Sequence, residues 1–87
     1  MKIRDGFVLR ELVGEHLVVP VGEAAERLHG LIRLNETSVF LWNLLSRGDQ
    51  TEKDLADAIA GEYAVDPETA KRDVADFISD IEAFGCI

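Results

Sequence analysis

One cysteine, Cys86, and two histidines, His16 and His29, are all this 87-residue chain has of the side chains that usually hold transition metals. A single thiol excludes an intramolecular disulfide and a thiolate cluster. The histidines stand 13 positions apart, without the His-x3-His spacing that presents two ligands together, so no metal site is expected. They also leave no Ser-His-acid or Cys-His set, which needs a nucleophile, a base and an orienting partner, so the chain reads as a non-enzyme. No Gly-x4-Gly-Lys loop is present, and Ser38, Ser46 and Ser79 lack the Asp-Ser context of an acyl-carrier attachment site. Nucleotide, cofactor and tethered acyl groups thus have no support. Basic charge is scarce as well. Nine lysines and arginines face 17 acids, for a net charge of −8, which repels phosphate backbones and anionic lipid at long range. Apolar runs such as Val39–Trp42 fall far short of the ~20 residues a bilayer span requires. The start, Met1–Gly6, lacks the apolar stretch and cleavage site of a signal peptide. A cytoplasmic address is expected, with neither nucleic acid nor membrane as partner.

What is present suits one domain over residues 1–87, since 47% of the residues are hydrophobic and a chain of this size supports one core. Phe7–Val13 is rich in β-branched and apolar residues, Gly14-Glu15 offers a turn, and His16–Val19 returns antiparallel until Pro20 and Gly22. Residues 21–29 read as a connection. Gly30–Leu34 is a third strand, too short for a helix and bounded by glycine and a capping residue.

Helices follow. Asn35 is an N-cap before an apolar segment that should stop near Arg47, with Gly48 in a left-handed conformation after it. Thr51 with Asp54 resembles a capping box ahead of Leu55, Ala58, Ile59 and Tyr63. Asp66-Pro67-Glu68 writes a third start, and Ala70, Val74, Phe77, Ile78, Ile81 and Phe84 line one stripe until Gly85. The predicted fold is α+β and winged-helix-like, a three-stranded antiparallel sheet followed by three helices. The acids opposite the stripes, Asp73, Asp76 and Asp80 among them, read as solvated faces.

Ala64–Asp66 is a connection of helix-turn-helix length, which makes a winged-helix DNA-binding regulator the alternative function. Between Glu68 and Phe84, however, two basic residues, Lys71 and Arg72, meet five acids, and an anionic recognition helix works against the phosphate contacts that dominate DNA affinity. A domain that serves only as an assembly surface is a third reading.

The stretch Gly30-Leu31-Ile32-Arg33-Leu34-Asn35-Glu36-Thr37, followed by Phe40, Trp42, Leu44, Leu45 and Gly48, resembles the PqqD family of peptide-recognition elements. Thr51–Leu55, Tyr63, Asp66-Pro67-Glu68-Thr69 and the closing apolar stripe extend the resemblance over nearly the whole chain. Its most specific part is Leu34–Thr37 with Trp42. The resemblance implies a non-catalytic chaperone that binds the leader segment of a ribosomally made precursor peptide and presents it to a modifying enzyme, often a radical SAM protein. It implies that the leader adds as an antiparallel strand beside the third strand, in a groove walled by the last helix. On this chain that nominates Leu31, Ile32, Arg33 and Leu34 for the strand edge, and Lys71, Arg72, Val74, Ala75 and Ile78 on the helix. Lys71 and Arg72 would meet an acidic leader residue. Asn35 and Trp42 are expected to be scaffold, and Phe77 and Ile81 core. The chain departs from the subgroup serving pyrroloquinoline quinone synthesis at Gly30-Leu31-Ile32 and Trp42, so the pathway stays open between that product and another ribosomal peptide. A homodimer also stays open.

An exposed strand edge supports such a use on physical grounds. Its unpaired N–H and C=O groups are a liability that folds normally blunt, and an added strand satisfies them.

Overall fold

The computed structural model describes all of residues 1–87. Two strands, β1 (Phe7–Leu12) and β2 (Glu15–Pro20), form a hairpin, and a one-turn helix, α1 (Glu23–Arg27), leads to β3 (Ile32–Leu34). Then come α2 (Glu36–Arg47), α3 (Glu52–Tyr63) and α4 (Pro67–Ala83). The sheet is antiparallel in the order β1-β2-β3, with Val8 opposite Val19, and Leu34 and Ile32 opposite His16 and Val18. The expected α+β order therefore holds: a three-stranded antiparallel sheet precedes the three long helices.

Four local features differ from the sequence reading. The connection after β2 contains α1, whose five residues are too few to show a period; Ala24 is buried there. It packs so closely on Gly6 that a Cβ at Gly6, which also has φ 100°, would lie 2.9 Å from the Ala24 Cβ. The hairpin turns on Val13-Gly14 rather than Gly14-Glu15, with φ of 52° and 77°. Two consecutive positive φ values suit the right-handed twist of the strands, but a β-branched side chain strains this conformation. β3 begins at Ile32, two residues later than expected. Gly48 is extended, with φ 165°, and ends α2 by leaving the helix rather than by a left-handed cap.

The helix starts are where the sequence put them. Asn35 Oδ1 accepts from the Ser38 N–H at 2.8 Å, and Asp66 Oδ1 from the Thr69 N–H at 2.9 Å. Thr51 and Asp54 form the reciprocal box, each backbone N–H donating to the other's side chain at 3.0 Å. These bonds hold both carboxyls below the ordinary range, through the Thr51 N–H for Asp54 and the Thr69 N–H for Asp66.

The caps set the phase in which apolar stripes meet. Leu41, Trp42 and Leu45 of α2, Leu55 and Ile59 of α3, and Ala70, Val74, Phe77 and Ile81 of α4 bury against Val18 and Leu34 of the sheet. Each large side chain removed from water here contributes about 1.5–3 kcal/mol. Cys86 closes the core, and burial pushes its thiol up to about 11. The chain start is tied to the α2–α3 connection and to the segment after α4, the Gln50 N–H donating to the Met1 carbonyl and the Arg4 N–H to the Cys86 carbonyl. No helix is long and apolar enough to cross a membrane.

Candidate peptide-binding groove

β3 hydrogen-bonds to β2 on one side and to nothing on the other, so one edge of the sheet ends in unpaired backbone groups. Strand alternation decides where its side chains go. Ile32 and Leu34 share the face of Val18 and point into the helical layer, Leu34 buried and Ile32 half-buried. Arg33 takes the opposite face, beside Leu17, and its guanidinium lies 3.3 Å from Glu15. Leu31, just ahead of the strand, is 51% exposed, a large apolar side chain left in water at the free edge.

A groove runs along this edge. Its strand wall is Leu31–Asn35 with Ser38 from the first turn of α2, and its far wall is Phe77, Asp80 and Ala83 of α4. Those three residues fall on successive turns and hence on one flank of the helix. The lining mixes polar and apolar groups, and Phe77, only 3% exposed, belongs chiefly to the core.

The structure thus brings Leu31, Ile32, Arg33 and Leu34 together on one groove wall, and spreads the nominated helix residues elsewhere. Lys71, Val74 and Ala75 line a second depression on the other flank of α4, against Lys53, Ala56 and Ala60 of α3. Val74 is itself buried, and Ile78 packs against the core. Arg72 is exposed near the start of α4, where its charge adds a small part to the lowering of the Asp66 carboxyl that the Thr69 N–H dominates. Sequence reasoning passed over Asp80 as a solvated acid and Ala83 altogether, and gave Asn35 to capping alone. The i, i+3, i+6 spacing of Phe77, Asp80 and Ala83 is readable in the sequence, but only the packing of α4 says that this flank faces β3.

The family model described as coenzyme PQQ synthesis protein D (PqqD) matches residues 15–87. The chain belongs to the PqqD family. The PqqD match begins at β2 and takes in the whole groove. A solved structure of TbiB1 in complex with the TbiA(beta) leader peptide is 28% identical and aligns with a TM-score of 0.73, over 95% of this chain and 90% of that one. No curated protein matches this PqqD-family chain.

Proposed function

We propose that this PqqD-family protein is a peptide chaperone that binds the leader segment of a ribosomally made precursor along the free edge of β3 and presents it to a modifying enzyme. One observation carries the reading: an unpaired strand edge that opens onto a groove, in a chain whose fold matches a protein solved with a leader peptide. Strand addition gives affinity through backbone hydrogen bonds and selectivity through the pockets that alternate side chains enter. The peptide contacts are Leu31–Leu34 on one side and Phe77, Asp80 and Ala83 on the other. Asn35 fixes where strand ends and helix begins.

The protein performs no chemistry of its own in this scheme. The reaction belongs to the partner enzyme, a radical SAM protein in the form the family resemblance favours, and the complex assembles in the cytoplasm. The net charge of −8 and the anionic α4 count against duplex DNA as the occupant.

Calorimetric titration of the chain with synthetic leader segments of candidate ribosomal precursors tests the reading. Proline at Ile32 or at Arg33 removes one edge donor, and whichever of the two positions faces the peptide should lose roughly tenfold in affinity. Unchanged affinity in both variants would refute strand addition at β3. Binding of the partner enzyme with no leader affinity would reduce the domain to an assembly surface.

A further inference from the structure

We infer that the peptide segment this groove accepts carries a lysine or arginine on the side that faces α4, two residues from an apolar side chain on the same side. The inference rests on the strand-addition reading and specifies its occupant. A strand laid against β3 continues the alternation of the sheet, about 4.8 Å from β3, so every second side chain points the same way as Ile32 and Leu34, toward the helical layer. Those side chains meet two kinds of surface. Leu31 and the half-buried Ile32 offer apolar area, which takes an apolar residue. Asp80 offers the only charge on the helix wall of the groove.

Asp80 is not alone on that flank. Asp76 and Asp73 precede it by four and seven residues, so all three carboxylates stand in one stripe beside Phe77. None has a cation within 4.0 Å: the ion pairs of the chain are Met1–Asp49, His16–Glu11, Arg33–Glu15 and Lys53–Asp57. None of the nearby basic side chains pairs with Asp80. Arg33 lies on the opposite face of the sheet with Glu15, Lys71 lines the α3 flank, and Arg72, four residues before Asp76, makes no ion pair. Like charges three and four apart on a helix destabilise it; Arg72 stands four residues before Asp76, but no basic residue stands three or four from Asp80 and offsets its charge. A cation brought by an inward-facing peptide side chain does, and an acidic residue at that position is rejected. The groove therefore selects by charge on its helix wall and by apolar contact on its strand wall.

The long-range field of so acidic a chain would favour basic peptides anywhere, so the test needs a charge-matched control. Affinity for a synthetic leader segment that carries the basic and apolar pair is measured at 50 and 300 mM NaCl for three chains. They are the wild type, Asp76→Asn/Asp80→Asn, and Glu52→Gln/Glu62→Gln, whose acids lie outside the groove; circular dichroism checks that each folds. Removing Asp80, which lines the groove, together with its neighbour Asp76 should weaken binding roughly fivefold at low salt and flatten the salt dependence, while the control stays within about twofold of wild type. Replacing the inward basic residue of the leader by glutamine should weaken wild-type binding by a similar factor and leave the Asp76/Asp80 variant unaffected. Equal effects of the two double substitutions, or none, would overturn the charge assignment while strand addition stands. A leader that fails to bind the wild type overturns both.

Discussion

α4 walls two depressions, and they differ in what faces the helix across the gap. On one flank stands α3, whose backbone groups are satisfied within the helix, so Ala56, Ala60 and Ala75 line a hollow with apolar area but no backbone to share. On the other stands β3, with an unpaired edge, a half-exposed Leu31 and the Asp80 carboxylate opposite. Apolar surface alone does not distinguish the two. The open row of peptide N–H and C=O groups does, because it fixes the register of an extended ligand before any side chain is read.

The sharpest way to break this comparison is to fill one hollow at a time. Ala83→Trp places a large ring in the β3 groove and should weaken leader binding about tenfold or more, whereas Ala75→Trp on the α3 flank should stay within about twofold. Equal losses in calorimetry would erase the distinction. A milder contrast uses the caps. Asn35→Ala and Thr51→Ala should each cost about 1 kcal/mol in urea denaturation, since each leaves a helix N–H without its acceptor. Only Asn35 also lines the groove, so only its removal should reduce peptide affinity, by roughly two- to threefold. In the β1–β2 turn, Val13→Asn relieves a positive φ that asparagine tolerates and should raise stability by about 0.5–1 kcal/mol with leader affinity unchanged.

The smallest effects come from pH. Asp54 and Asp66 have folded pKa values below the ordinary 3.8, so the stabilisation they give is full above that value and disappears as pH falls through the folded values. The Cys86 thiol is raised by burial from 9.0 to about 11, so its contribution is full below 9.0 and is lost as pH rises toward 11. Thermal melts across both ranges should decline at each end. Iodoacetamide at pH 8 should modify Cys86 only after unfolding.

The fold was legible where it depends on neighbours in sequence. Asn35, Thr51 with Asp54, and Asp66-Pro67 each complete a cap within three or four residues, so their chemistry is written locally and the helices start there. α1 escaped because one turn carries no period, and its reason for existing is Ala24 against Gly6, a contact between distant segments. The strand wall of the candidate groove could be named from the family-like Gly30–Thr37 stretch. The helix half could not: a 3.6-residue period gives the phase of α4 but not which neighbour lies at which azimuth, so Lys71, Val74 and Ala75 were grouped with β3 although they face α3. Asp80 was hidden for the same reason, since an acid opposite an apolar stripe looks solvated until a strand edge is seen across from it.

Backbone amide shifts of the isotopically labelled chain, followed during titration with the leader peptide, test the central claim most directly. Strand addition at β3 predicts large changes confined to Leu31–Leu34 and the Phe77–Ala83 flank of α4, with new protection from hydrogen exchange in β3. Changes concentrated instead at Lys53–Ala60 and Lys71–Ala75, with β3 amides unmoved, would contradict it.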